Sequence, residues 1–253
     1  MAQNSKQLQP IRAYLVWDRT TRWFHWINVI CVLGLLVFGL GILNHKALGI
    51  DGEEEILLKQ FHVVIGYVFA VNLAWRLLWG FIGGKYSRWT RLFPLGKGFT
   101  GKVRDYAGGL LRGKPPAYMG HNPLGRVMVS LLLFLLTLQA VTGLVLAGTD
   151  LYYPPFGGQI EQWVAASNGT GIIELKPGSK AGIDPDRYAE MRAFRKPFIT
   201  IHYYTFFILV AAIFVHIAGV VITELVEKSG LVSAMFSGRK YFSEKPVDSD
   251  GRE

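Results

Sequence analysis

The sequence predicts an all-α membrane protein, a four-transmembrane-helix bundle with a long outer loop between helices 3 and 4. Three observations predict it. Hydrophobic residues make up 51% of the 253 positions, which is more than a water-soluble chain of this length needs for its core. Four apolar runs each approach the ~20 residues that cross a bilayer. Basic residues gather in alternate connections, as they do when membrane topology sets their placement.

The elements follow in order. Residues 1–10 are polar. The first span covers roughly 23–43, is longer than a signal-peptide core and lacks a small-x-small cleavage site, so it is expected to stay in the protein. The second covers roughly 61–82, the third 124–147 and the fourth 198–225, all within one domain of residues 1–242, with 243–253 as a cytoplasmic tail. The connection after the second span carries Lys85, Arg88, Arg91, Lys97, Lys102, Arg104, Arg112 and Lys114 against a single acid, Asp105, which places it in the cytoplasm. The N-terminus (Lys6, Arg12, Arg19, Arg22) and the tail (Lys228, Arg239, Lys240, Lys245, Arg252) agree, so both termini are expected inside. The connection after the first span holds Asp51, Glu53, Glu54 and Glu55 and faces out. So does the 148–197 loop, whose turn formers suggest a small ordered cap or docking surface, although Arg195 and Lys196 are a local violation there. Segment 99–112 is either an interfacial helix or an ordinary juxtamembrane linker. The net charge of +9 thus reflects topology and anionic membrane lipid, and nucleic acid is a poor reading.

Chemistry concentrates on histidine. His202 and His216 lie 14 residues apart in the fourth span. On a helix that spacing falls about 40° short of whole turns, so both imidazoles share a side, roughly 21 Å apart along the axis. Topology sorts the others by depth. His25 and His216 lie at the inner side, His62 and His202 at the outer side, and only this pairing matches depths one to one. Each histidine taken singly is explained as well by a hydrogen bond to a neighbouring helix. Two depth-matched pairs suggest two metal centres, because ionisable groups inside a membrane are usually functional. Paired imidazoles suit low-spin haem iron held between helices. Zinc or copper wants a third or fourth ligand at each depth, and no Cys, Asp or Glu is in place to supply one. The single cysteine, Cys31, reads as a buried apolar residue, and no Cys-x-x-Cys-His exists for covalent haem attachment.

Other residues fit two readings each. Gly66, one turn from His62, removes a side chain where a porphyrin face passes, as do Gly34, Gly39 and Gly143, or these glycines serve close helix packing. Arg22, on the same helix face as His25, with Arg76 and Arg126, pairs with haem propionates, or the arginines snorkel to lipid phosphates. His121-Asn122-Pro123 reads as a helix start capped by Asn122, and His121 also falls near the inner centre and a quinone head group. His45, beside Lys46, reads as a solvated loop residue.

These residues together resemble the membrane di-haem cytochrome b family, which includes the b-type cytochrome subunit of nickel–iron hydrogenases and the formate dehydrogenase gamma subunit. The likeness spans 16 to about 242. It rests on Val16-Trp17-Asp18 with Arg22-Trp23-Phe24-His25-Trp26, on His62-Val63-Val64-Ile65-Gly66-Tyr67, and on Arg76-Leu77-Leu78-Trp79-Gly80. Gly120-His121-Asn122-Pro123, His202, His216 and the segment from Gly230 to Gly238 complete it. The resemblance implies two non-covalent b haems ligated by His25, His62, His202 and His216, with no catalytic residue of the chain's own. It implies electron exchange with quinone and with a periplasmic-side redox subunit, iron–sulfur or cytochrome, at a bacterial inner membrane. The long outer loop departs from the family pattern and leaves that partner open. The expected function is electron transfer across the membrane between such a partner and the quinone pool. A free-standing cytochrome b oxidoreductase acting between quinone and a small oxidant such as superoxide is the alternative, separated by co-purification. A haem-free anchor or transporter is a third reading, separated by a reduced-minus-oxidised spectrum.

Overall fold

Asp18 starts the first long helix. In the computed structural model, which describes residues 11–166, 175–179 and 181–249, its Oδ1 accepts the Thr21 N–H at 2.7 Å, an N-cap geometry. A short strand β1 (Arg12–Leu15) precedes α1 (Arg19–Leu43), and α2 (Gly52–Ile82) follows with Glu53, Glu54 and Glu55 in its first turn. Acids there complement the positive end of the helix dipole. A 3-10 turn (Lys85–Ser87), α3 (Trp89–Leu92) and α4 (Phe99–Leu111) fill the basic connection. Next comes α5 (Pro123–Leu151), where Asn122 Oδ1 accepts the Gly125 N–H at 2.7 Å, as the His-Asn-Pro reading expects. The chain continues through α6 (Gly157–Val164), α7 (Pro185–Glu227), α8 (Leu231–Ser237) and β2 (Arg239–Phe242).

Helices α1, α2, α5 and α7 are long and apolar enough to cross a membrane. Apolar side chains such as Val37, Val71, Phe81, Phe134 and Phe214 lie exposed along them, the surface expected where lipid is the solvent. Two features add to the expected helices. β1 and β2 pair antiparallel, with Arg12 opposite Phe242 and Leu15 opposite Arg239. The helix that carries the fourth span begins at Pro185, so helix occupies the last part of the 148–197 loop. Asp184 Oδ1 accepts the N–H groups of Asp186 and Arg187 at 3.0 and 3.1 Å, and Pro185 takes the first helical position, where its missing N–H costs nothing. Pro197 then sits inside the helix. Residues 167–174 and 180 of that loop, the polar start 1–10 with Lys6, and Arg252 lie outside the described residues.

The chain divides into two compact units. One comprises the described parts of Met1–His25, Trp75–Leu133 and Ala211–Glu253. Its core joins Val16, Trp17, Tyr86, Met119, Ala234 and Phe242. Fully buried Tyr106 of α4 donates to Glu227 Oε1 at 2.5 Å and accepts from Asn122 Nδ2 at 2.6 Å. Asp248, in the segment read as a tail, accepts the N–H groups of Met119 and Gly120 at 2.6 and 3.0 Å. The other unit comprises Trp26–Ala74 and the described parts of Phe134–Val210. There α6 packs Ile160 and Val164 against Leu175 and Met191. Arg195, one of the two cations that violated the charge pattern, pairs with Asp150 at 2.5 Å.

Candidate functional site

Each unit holds one histidine pair. His62 of α2 and His202 of α7 face each other with ring centroids 6.4 Å apart and planes at 74°. Two imidazoles bound on opposite sides of one ion at about 2.0 Å each place their centroids roughly 6 Å apart, so this spacing fits a shared iron. Glycines bring the flanking backbones close. A Cβ at Gly39 of α1 would stand 3.4 Å from His62 Cε1, and one at Gly143 of α5 would stand 3.3 Å from His202 Cε1. At Gly143 the His202 ring would have to give by a few tenths of an ångström, while at Gly39 a Cβ would just reach contact with His62, so both glycines lie directly against the histidine rings. A Cβ at Gly66 would meet only Leu35 at 3.9 Å, so the space beside it is open.

Thr142 sets which nitrogen of His202 is available. Its Oγ1 lies 2.9 Å from His202 Nδ1 and 2.7 Å from the Leu138 carbonyl. The hydroxyl has one proton, and the carbonyl can only accept it. Oγ1 therefore accepts from His202 Nδ1–H, and the lone pair is left on Nε2. That is the arrangement in which a second partner orients a metal-ligating histidine. Gln139 Nε2 donates to the His202 backbone carbonyl at 3.1 Å and holds the same turn of α7. Neither Thr142 nor Gln139 was singled out from sequence. The available signal was a polar residue inside an apolar span, one of them next to Gly143.

The second pair joins His25 of α1 and His216 of α7, which lie within electrostatic reach of each other. Arg76 of α2 is buried, with only 3% of its surface exposed. Its guanidinium lies 5.8 Å from the Phe24 ring centre and 5.5 Å from that of Trp89. Arg76 Nη1 is buried without a hydrogen-bond acceptor. Such a donor is costly unless an acceptor reaches it. Asp18 is the acid in its electrostatic field, and burial pushes that carboxyl up. Hydrogen bonds from Thr21 N–H, Ser87 Oγ and Trp79 Nε1 outweigh this and hold Asp18 below its ordinary value.

His121 lies in the same unit, its ring 4.7 Å from that of Trp17 and its Nδ1 buried without a partner. Burial, then Lys240 and Arg76, push the imidazole down to about 3. It is neutral at physiological pH. Lys240, buried on β2, donates to the carbonyls of Gly120 and Tyr118 at 2.9 and 3.3 Å. No sequence signal pointed to it.

Two arginines each give donors to backbone carbonyls. Arg22 Nη1 donates to the Phe236 carbonyl, at the end of α8. Arg126 Nη2 donates to the Phe93 carbonyl and Nε to that of Leu92 at 3.5 Å, so it closes the end of α3. His45 Nδ1 donates to the Ile50 carbonyl at 3.1 Å within the turn after α1. Cys31 is buried. Among the described residues no three His, Cys, Asp or Glu side chains gather as a metal site. Two histidines at each place suit a metal that arrives with its remaining ligands, as haem iron does.

Comparison with known proteins agrees with this chemistry. A family model described as prokaryotic cytochrome b561 matches residues 16–238. The probable Ni/Fe-hydrogenase B-type cytochrome subunit of Cupriavidus necator is 25% identical over 249 residues, covering 93% of this chain and 90% of that one. Its counterpart in Rhizobium leguminosarum bv. viciae is 25% identical over 258 residues, with 96% and 95% covered. The probable Ni/Fe-hydrogenase 1 B-type cytochrome subunit of Escherichia coli K12 is 27% identical over 154 residues, with 57% and 64% covered. No solved structure matches.

Proposed function

The chain belongs to the prokaryotic cytochrome b561 family, and on that premise we propose that it is a di-haem electron-transfer subunit of a bacterial inner membrane. It connects a redox partner on the outer face, of hydrogenase type as the relatives' names suggest, with the quinone pool. One observation carries this reading: His62 and His202 stand ring to ring at 6.4 Å, with His202 Nδ1 engaged by Thr142. Haem b bound at such a pair supplies a reversible one-electron couple.

The residues of the chain do the rest. His62 and His202 hold the outer group, and His25 and His216 the inner one. Thr142 keeps the His202 ring in the tautomer that ligates through Nε2. Gly39 and Gly143 let neighbouring helices close on the two rings, which excludes water from the outer site. Arg76 presents its buried Nη1 to a propionate. His121, neutral because of its burial and the cations around it, accepts or donates a hydrogen bond at a quinone head group beside the inner site. The basic connection between α2 and α5 lies in the cytoplasm with both termini.

Pyridine haemochrome assay of the purified chain should give about two haems per polypeptide on this ligation. His62→Ala and His202→Ala should remove one spectral component, and His25→Ala and His216→Ala the other. A count near zero or one, or loss of the same component from both pairs, overturns the proposal.

A further inference from the structure

Where β1 meets α1, a groove of about 410 Å³ opens among three arginines. Arg19 and Arg22 sit three apart on α1 and so share a face. Arg239 comes from β2, where the antiparallel register sets it opposite Leu15. Trp17 and Tyr241 form the walls. Gly238 allows the approach: its φ is +81°, and a Cβ there would stand 2.7 Å from the Trp17 carbonyl oxygen and 3.5 Å from Arg22 Nε. The one acid in the groove, Asp18, is engaged by Thr21, Ser87 and Trp79. Arg19 and Arg239 form no ion pair with any described residue. Arg22 gives Nη1 to the Phe236 carbonyl, yet its Nε is buried without an acceptor.

The surroundings identify the ligand. Arg19 is the first residue of a helix long enough to cross a membrane, so the groove lies at headgroup depth. Leu15, Trp23 and Phe236 beside it are 69%, 68% and 63% exposed, an apolar rim suited to acyl chains. Guanidinium groups in a fork match the oxygens of a phosphate. We propose that this groove is a binding site for the phosphate of an anionic phospholipid, held by Arg19, Arg22 and Arg239. The bound phosphate offsets part of the positive charge of the three guanidinium groups and ties the β1–β2 sheet to the membrane surface. None of the residues lining the groove is a histidine, and the proposal does not depend on what the histidine pairs bind.

Native mass spectrometry of the full chain in mild detergent tests it with phosphatidylglycerol and phosphatidylcholine as probes. The wild-type chain should retain about one phosphatidylglycerol and no phosphatidylcholine on the charge argument. The double variant Arg19→Gln/Arg239→Gln should retain roughly tenfold less phosphatidylglycerol, since two charge-assisted hydrogen-bonding groups are lost. Its haem content should match wild type. Excess inorganic phosphate should leave the lipid bound, because the rim contributes to holding it. Equal retention by the double variant, or equal retention of phosphatidylcholine, overturns the proposal. Full displacement by inorganic phosphate assigns the groove to free phosphate and overturns it too. Loss of haem from the double variant would show that the arginines serve the His25 side instead.

Discussion

Thr142 is the side chain with the most specific role at the His62–His202 site. Its hydroxyl donates to the Leu138 carbonyl and accepts from His202 Nδ1, both at ordinary hydrogen-bond lengths. Thr142→Val keeps the shape and removes the acceptor. The buried imidazole N–H then has no partner, at a cost of about 1 to 3 kcal/mol. Loss of such a partner weakens metal binding roughly 10- to 100-fold and makes the histidine a poorer electron donor. A redox titration of Thr142→Val should therefore show one of two haem components at a higher midpoint potential and the other unmoved. Equal shifts in both, or none, would remove Thr142 from this role. The approach of His62 to His202 was legible in sequence because an imidazole in an apolar run is conspicuous. Thr142 was not, because its importance lies in meeting a residue 60 positions away. Arg22 and Arg126 each give a donor to a carbonyl at the end of α8 or α3, contacts that no spacing within their own helices records.

Among the elements, helix starts were read best where the signal was local. Asn122 and Pro123 open α5 as their chemistry dictates. Asp184-Pro185 carries the same signal for α7, but Arg195, Lys196 and Pro197 interrupt the apolar pattern that follows, so hydropathy alone places the span near 198. Arg195 is accommodated by Asp150, and the helix continues through Pro197. The β1–β2 sheet escaped notice because neither four-residue strand has a pattern of its own, and each exists only by pairing with the other. Lys240 makes that sheet sensitive to pH. Burial pushes its ammonium from the ordinary 10.5 down to about 8, against the raising influence of Glu227 and Asp248. Between those values the folded chain has released a proton that the unfolded chain still holds. Stability therefore rises with pH from about 8 to 10.5, and below 8 the cost of the buried charge is fully present. Hydrogen exchange, corrected for intrinsic rates, should show the β1–β2 amides becoming better protected across that interval. Protection that falls or stays flat there would refute the assignment.

For the whole molecule, the proposed polarity makes one demand. If the connection between α5 and α7 faces an outer redox partner, shortening 157–183 to a Gly/Ser linker should abolish reduction by that partner. Chemically reduced spectra should keep both haem components, because no histidine lies in that stretch. Unchanged partner-driven reduction would place docking elsewhere. By itself the sequence determined the four membrane-length helices, the capped start of α5 and, through the topology its charges set, the approach of His62 to His202. Each of those follows from hydropathy, from the chemistry of adjacent residues or from where charge falls between apolar runs, all of which can be read along the chain. Tertiary structure alone decided that Thr142 engages His202, that Gly39 and Gly143 press against imidazoles, that Arg76 has a buried donor without an acceptor, and that Arg239 joins Arg19 and Arg22 at one groove. A hydrogen bond or a close approach is a property of two surfaces. Which surfaces meet depends on how distant segments pack, and no local pattern records that.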